Sequence, residues 1–151
     1  MPRSYSVVNV HLVFSTKDRH PFLVDMDLRA ELHRFIGGVS KTLDCQPIII
    51  GGVADHVHIL AGLGKSISQA DWAKEIKRVS SGWIKERDRR LRDFAWQGGY
   101  GAFSVDISSM DRVRHYIATQ EQHHHKLTFQ EEFLALLKEH GVEYDERYIW
   151  E

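Results

Sequence analysis

The order in which the apolar spacing changes along the chain is the feature that most constrains its fold. Segments with an alternating or short apolar pattern read as strands, and segments with apolar residues three and four apart read as helices. The strand-like segments are 7–14, 48–50, 57–60 and 102–105, and the helix-like segments are 28–43 and 68–83. The order strand, helix, strand, strand, helix, strand predicts an α+β fold, with a ferredoxin-like antiparallel sheet and helices on one face.

Two more helices are predicted after the last strand. One begins at Ser108, with Asp111 three residues later as a capping partner. The other runs over 128–140 and stops at Gly141. We therefore expect C-terminal helices in addition to the ferredoxin-like unit, with 1–151 forming one domain of ordinary size.

The overall charge excludes one class of function. Twenty Lys and Arg against 21 Asp and Glu give a net charge of −1, which argues against a protein that coats nucleic acid without specificity but allows a local basic surface. The single Cys45 cannot form an internal disulfide, as is usual in a reducing compartment. Because no apolar stretch is long enough for a signal peptide or a membrane span, we expect a cytoplasmic protein without a membrane partner.

A local excess of positive charge lies in the second predicted helix and just beyond it. Between Lys74 and Arg92 there are eight Lys or Arg residues and three acids. Taken alone, this pattern is typical of a solvated helix face. It becomes a candidate contact surface for phosphates only if other residues point to nucleic acid.

The pair His56 and His58, on either side of Val57, is the first feature with chemical content. On a strand, residues two apart face the same side, so both imidazoles project together while Val57 enters the core. Two imidazole nitrogens can hold one divalent cation and leave positions open for a substrate. A bare pair of this kind is nonetheless more often incidental than a metal site.

Tyr116 and Gln120 form the second feature, because residues four apart on the third predicted helix share a face. The alternative is a tyrosine packed at the edge of the core beside a solvent-facing glutamine. Three histidines follow at 123–125, and we expect each of them to lie on the surface at the end of a helix.

Several of these segments together resemble one known family, the single-tyrosine HUH transposases of small prokaryotic insertion sequences, to which the REP-associated tyrosine transposases are related. HUH denotes two histidines around a hydrophobic residue. The resemblance rests on His56-Val57-His58, on Tyr116-x-x-x-Gln120, and on the segments 11–19, 96–105, 129–133 and 148–150. These motifs occur in the expected order over nearly the whole chain.

The resemblance implies a DNA transposase that cleaves and rejoins single-stranded DNA at the ends of an insertion sequence. Tyr116 would attack the scissile phosphate and form a 5′-phosphotyrosine intermediate. His56, His58 and Gln120 would bind one Mg²⁺ or Mn²⁺. A free phenol has a pKa near 10 and is a poor nucleophile at neutral pH, which is why a cation beside the phosphate is needed.

The resemblance also implies partners. Members of the family bind hairpins in single-stranded DNA and act as homodimers in which the tyrosine helix of one subunit completes the metal site of the other. The expected phosphate contacts are Lys17, Arg19, Lys74, Lys77, Arg78 and Lys85. The alternatives are a domesticated protein of the same family that binds or processes single-stranded DNA hairpins, and an unrelated ferredoxin-like domain in which the histidines are coincidental.

Overall fold

The computed structural model describes residues 4–124 and 126–151. Its strands are β1 (Asn9–Ser15), β2 (Gln46–Val53), β3 (His56–Gly62) and β4 (Gly101–Ser104). Its helices are α1 (Met26–Thr42), α2 (Gln69–Arg87), α3 (Met110–Ala118), α4 (Gln120–His123) and α5 (Phe129–Glu139). The strands pair antiparallel in the order β2-β3-β1-β4, so the predicted α+β fold is confirmed.

Strand alternation decides which face of the sheet each helix covers. On one face, Leu12, Phe14 and Val57 form the main core with α1 and α2, and Trp72 of α2 is fully buried there. Burying one large apolar side chain in this way contributes about 1.5–3 kcal/mol. The opposite face carries His56 and the remaining residues of that parity, which α3, α4 and α5 cover.

The helix starts follow from local capping. Ser68 accepts a hydrogen bond from the backbone N–H of Asp71 and caps α2, and Thr128 forms a capping box with Glu131 at the start of α5. Both predicted starts are confirmed. The third helix begins later than predicted, because Asp106 caps a short 3-10 turn at Ile107–Ser109 and α3 follows it.

The helix that was predicted to carry both Tyr116 and Gln120 is broken between them. Thr119 has φ −109° and ψ 28°, so α3 ends at Ala118 and Gln120 begins α4. The Thr119 hydroxyl donates to the carbonyl oxygen of His115 at 2.8 Å. A Ser or Thr side chain that bonds the carbonyl four residues back often bends a helix.

The segment 51–55, whose two glycines predict a hairpin turn between the strand-like segments 48–50 and 57–60, forms a shorter turn than expected. β2 continues to Val53, and only Ala54 and Asp55 form the turn into β3. Gly51 and Gly52 instead lie inside β2, where the absence of a side chain lets neighbouring backbone come close. A Cβ on Gly51 would overlap the carbonyl oxygen of Ile117 in α3, and one on Gly52 would overlap the carbonyl oxygen of His56.

The end of the chain folds back on the same molecule. Ile149 and Trp150 are partly buried and pack against the cluster that contains Val13 and Phe129, as their apolar character predicts. In residues 4–124 and 126–151, no helix combines the length and the apolar character that crossing a membrane requires.

Candidate active site

The two predicted ligands on β3 lie in the middle of the covered face of the sheet. His58 pairs with Val13 of β1 and with Gly51 of β2, and His56 occupies the neighbouring position toward the turn. Both imidazoles are fully buried. Strand geometry therefore places them side by side beneath α3, α4 and α5, as the H-x-H spacing predicts.

The outer nitrogen of His56 is held by its neighbour in the chain. His56 Nδ1–H donates to Asp55 Oδ1 at 2.7 Å, which directs Nε2 toward the helices. Burial lowers the pKa of His56, but hydrogen bonds to Asp55 and Glu132 outweigh burial and raise that pKa to about 9. A carboxylate behind a histidine in this way is the usual support of a metal-binding imidazole.

His58 is supported by a third buried histidine, His11. His58 Nδ1 and His11 Nε2 are 2.7 Å apart, and the rings stack with centroids 5.0 Å apart. Burial is the main cause that lowers the pKa of His11 to about 3 and that of His58 to about 4. His58 Nε2, on the other side of the ring, faces Glu132 Oε1 at 2.9 Å.

Glu132 of α5 is the residue that sequence reasoning missed. Its Oε1 lies 2.9 Å from His58 Nε2 and 3.3 Å from His56 Nε2, and the three residues form a group able to hold a metal ion. Glu132 is buried. Burial alone raises the pKa of this carboxyl, but hydrogen bonds from His124, His56 and His58 lower it well below its usual range.

A signal for Glu132 was present in the sequence. Phe129, Glu132, Phe133 and Leu136 follow the i, i+3, i+4, i+7 spacing of one helix face. An acid in an otherwise apolar stripe must find partners when the helix docks, because a buried carboxylate without them is very unfavourable.

The histidine run also departs from prediction. His124 is not a surface residue: its side chain is one-tenth exposed, and Nε2 lies 3.1 Å from Glu132 Oε1. His123 is partly buried and its Nε2 lies 3.1 Å from the Thr119 hydroxyl. His125 lies outside the described residues.

Gln120 reaches the same cluster from α4. Its Nε2 donates to the carbonyl oxygen of Tyr116 at 3.3 Å, which leaves Oε1 directed at His56 Nε2 and His124 Nε2, each 3.1 Å away. The helix break at Thr119 thus turns Gln120 inward, and its side chain is buried rather than solvent-facing. An ion pair of 2.8 Å between Arg29 and Glu121 ties α4 to α1.

Tyr116 completes the arrangement from α3. Its hydroxyl donates to Glu132 Oε2, the carboxylate oxygen that does not face the histidines. Burial, followed by the negative charge of Glu132, raises the pKa of the phenol far above its ordinary value. The tyrosine is partly buried and lines a cleft of about 420 Å³ between α3, α5 and β4, a volume in the range of ligand pockets.

The family profile described as Transposase IS200 like matches residues 4–120 of this sequence. That segment contains His56, His58, Tyr116 and Gln120 and covers most of the chain. The chain belongs to the IS200-like transposases. A sequence search of curated proteins finds no match.

Two solved structures share the fold of this IS200-like transposase. A protein from Deinococcus radiodurans, provisionally assigned as a transposase, superposes with a TM-score of 0.65 and 21% identity, over 80% of this chain and 95% of that one. A REP-associated tyrosine transposase bound to a REP hairpin superposes with a TM-score of 0.56 and 15% identity, over 79% of this chain and 70% of that one.

The donor set in this transposase fits a divalent cation. Glu132 Oε1 lies 2.9–3.3 Å from three imidazole nitrogens. Adjacent ligands of an octahedral ion with bonds of about 2.1 Å are about 3 Å apart. The three imidazoles contact Glu132 through the nitrogens that would ligate an ion, so a bound cation would take the place of their protons.

All of the predicted site residues other than the basic ones meet within one chain. Tyr116 and Gln120 reach His56 and His58 of the same molecule, so their convergence does not need the predicted sharing between subunits. That sharing stays a prediction.

The predicted phosphate contacts on α2 do not lie beside the tyrosine. Lys74, Arg78 and Lys85 are exposed on α2, which covers the opposite face of the sheet, and Arg78 pairs with Glu75 at 2.5 Å. Lys17 is exposed in the turn after β1. The α2 part of the predicted basic surface is therefore separated from the chemical site.

Two of the predicted contacts also make structural interactions. Lys77 Nζ donates to the carbonyl oxygens of Gln97 and Gly99, and burial lowers the pKa of its ammonium group to about 8. The Arg19 guanidinium lies 5.5 Å from the ring centre of Trp150. Lys77 thus holds the 97–99 loop, and Arg19 packs against the chain end.

Proposed function

We propose that this chain is a metal-dependent tyrosine transposase that cleaves single-stranded DNA at the ends of its insertion sequence and rejoins it to a new 3′-hydroxyl. The family membership supports DNA transposition. The observation that carries the chemistry is the contact of the Tyr116 hydroxyl with Glu132, whose other oxygen faces His56 and His58. A nucleophile and a proton acceptor thus line one cleft, and Glu132 connects them to the buried ligand set for a cation.

The cleavage step uses Tyr116 as the nucleophile. Its oxygen forms a bond to the scissile phosphorus while the bond from phosphorus to the 3′ oxygen of the upstream strand breaks. Glu132 Oε2 accepts the phenolic proton, and this proton is then passed through water to the departing 3′ oxygen, so the carboxylate is regenerated and no proton is gained or lost. The product is a 5′-phosphotyrosine, and attack by another 3′-hydroxyl reverses the step. No nucleotide cofactor is needed, because the phosphotyrosine ester conserves the free energy of the phosphodiester bond that is broken and later remade.

His56, His58 and Glu132, together with Gln120, would hold one Mg²⁺ or Mn²⁺. When bound, the cation would withdraw charge from the phosphate and offset the negative charge of Glu132, which otherwise opposes ionisation of the phenol. Asp55 and His11 orient the two strand-borne imidazoles from behind.

The proposed substrate is a hairpin end in single-stranded DNA. A REP hairpin bound to a structural relative supports this assignment, as do the exposed cations on α2, which suit phosphate contacts on the stem. If the protein is a homodimer, as the family resemblance implies, each chain of this structure would carry a complete set of site residues.

The proposal is tested with purified protein, Mn²⁺ and a labelled single-stranded oligonucleotide that carries the hairpin end and flank of the element. We expect a covalent protein–DNA adduct, visible on a denaturing gel, that EDTA prevents. Tyr116→Phe should retain hairpin binding and lose the adduct.

Tyr144→Phe is the matched control for the loss of a tyrosine hydroxyl, because Tyr144 is exposed near the chain end, and it should form the adduct at the wild-type rate. An adduct that persists in Tyr116→Phe would refute the assignment of the nucleophile. Hairpin binding without any adduct in the wild type would favour the domesticated binding protein.

A further inference from the structure

His124 reaches the centre of the site although it lies in a run of histidines at the end of a short helix. Its Nε2 is 3.1 Å from Glu132 Oε1 and 3.1 Å from Gln120 Oε1. Its ring centroid is 4.4 Å from that of His56. The imidazole therefore faces the same two oxygen atoms as His56.

The hydrogen bond made by His124 Nδ1 shows that Nε2 is the ring nitrogen available to a metal ion. His124 Nδ1 lies 2.6 Å from the carbonyl oxygen of Leu127, which can only accept a hydrogen bond. The Nδ1 proton is therefore donated to Leu127, and the lone pair of a neutral ring is on Nε2. This is the tautomer that metal-binding histidines adopt when a backbone carbonyl supports them.

A neutral His124 would then direct its lone pair at two oxygen lone pairs. Oxygens of Gln120 and Glu132 are both acceptors in this position, so the three atoms repel one another unless a positive charge lies between them. His56 Nε2 meets the same two oxygens from the other side. In the structure protons on the imidazoles supply that charge, as the raised pKa of His56 indicates, and a bound divalent cation would take the place of those protons.

His123 has different partners from His124 and does not contact the carboxylate. It is the preceding residue, but its Nε2 bonds the Thr119 hydroxyl at 3.1 Å and its ring packs beside that of Tyr116. Nothing in its contacts directs a nitrogen at Glu132. Of the two neighbouring histidines, His124 is therefore the candidate ligand and His123 is a packing residue.

We propose that His124 is a further ligand of the metal site, and that the site holds its ion with three imidazoles, the Glu132 carboxylate and the Gln120 amide oxygen. The inference rests on the proposed function, since it extends the same metal centre. Three nitrogen donors suit Mn²⁺ and later first-row ions better than Mg²⁺, which prefers oxygen ligands. His124 thereby contributes to the choice of metal.

The test is metal binding by the full-length protein without DNA. Metal-free wild type, His124→Ala and the control His123→Ala are titrated with Mn²⁺ and with Mg²⁺ by calorimetry. His124→Ala should weaken Mn²⁺ binding by at least about tenfold, the lower end of the loss seen even for outer-shell partners. The loss for Mg²⁺ should be smaller, and His123→Ala should bind Mn²⁺ within about twofold of the wild type.

A second measurement can be read from the wild-type protein alone. Pulsed EPR of the wild-type protein loaded with Mn²⁺ should show three coupled imidazole nitrogens, and two in His124→Ala. Two nitrogens in the wild type, or unchanged Mn²⁺ affinity in a folded His124→Ala, would overturn the inference and leave the Tyr116 adduct intact as support for the proposed function. A wild type that binds no divalent metal would overturn both.

Discussion

Glu132 links the two halves of the candidate site because its two oxygens have different partners. Oε1 faces the imidazoles of His56, His58 and His124, while Oε2 accepts the hydrogen bond from Tyr116. One carboxylate therefore contributes both to the proposed cation site and to the proton transfer from the nucleophile. A change in the charge of Glu132 should therefore alter both the affinity for the cation and the proton transfer from Tyr116.

Glu132→Gln tests this double role, because the amide keeps the shape of the side chain and removes its charge. We expect the affinity for Mn²⁺ to fall by at least about tenfold, since an amide oxygen is a weaker ligand than a carboxylate. The rate of adduct formation at saturating Mn²⁺ should also fall. Calorimetry gives the first quantity and single-turnover gel assays give the second.

Glu131→Gln is the matched control on the preceding residue. Glu131 is exposed and caps α5 through Thr128, a role that glutamine also fills. It should change neither quantity. Equal behaviour of the two variants would show that the buried position of Glu132 has no part in the chemistry.

At the level of residues, sequence patterns predicted what lies within one element and missed what tertiary packing brings together. The spacing of His56 and His58 dictates that they share a strand face, so their proximity could be predicted. Glu132 and His124 reach them only because α4 and α5 dock on the sheet, and local spacing does not encode that docking. Glu132 left a trace as an acid in an apolar stripe, whereas His124 left none.

Among the elements, two glycines allow the helices to approach the histidine row from both sides. His58 and Val13 lie between Gly51 on β2 and Gly101 on β4 in one row across the sheet. A Cβ on Gly101 would come within 2.7 Å of the Phe133 ring in α5, as one on Gly51 would overlap α3. Small residues at both ends of the row thus bring Tyr116 and Glu132 close to the histidines.

Gly51→Ala should push α3 away from the sheet, because the added methyl would overlap the backbone carbonyl of Ile117, the residue after Tyr116. We expect a loss of about 1–3 kcal/mol in the free energy of unfolding, as for other overpacked sites. Adduct formation should slow as well, since Tyr116 shifts with the helix. Urea denaturation and the adduct assay measure the two effects.

Gly38→Ala provides the comparison within the same protein. Gly38 lies in α1, and outside its own helical turn no described residue comes within 4 Å of an added Cβ there. The change should stabilise the protein by up to about 1 kcal/mol through helix propensity and leave the adduct rate unchanged. A Gly51→Ala variant as stable and as active as Gly38→Ala would contradict the close approach.

The sequence of element types was predictable because each has its own apolar period, and the βαββαβ order follows directly. The break between α3 and α4 was not predictable from that period, since four-residue spacing continues through Thr119. Its cause is a side-chain hydrogen bond that competes with the helix. The glycines of β2 were misassigned to a turn for a related reason: glycine permits both a turn and a close approach, and only the packed helix shows which one is used.

Across the whole molecule, the sheet separates two surfaces with different properties. The exposed cations of α2 lie on one side, and the cleft beside Tyr116 lies on the other. A hairpin stem held by α2 would therefore have to send its single-stranded flank around an edge of the sheet to reach the nucleophile. The spacing between hairpin and cleavage site should reflect that path.

The intact site within one chain leads to a prediction about subunits. Tyr116→Phe lacks the nucleophile, and His56→Ala lacks a metal ligand, so neither variant alone should form the covalent adduct. If each chain uses its own residues, mixing the two inactive proteins should not restore adduct formation. If the tyrosine helix serves a partner, a mixed dimer would carry one complete site, and about a quarter to a half of the wild-type yield should return.

The mixing experiment is read with two controls. Wild type mixed with an equal amount of Tyr116→Phe should retain the adduct yield of the wild type present. Co-expression of the two variants allows subunits to exchange during folding, so slow exchange cannot hide complementation. Recovered activity would mean that α3 and α4 leave the positions described here and complete the site of another chain, because Tyr116 and His56 of one molecule would then no longer act together.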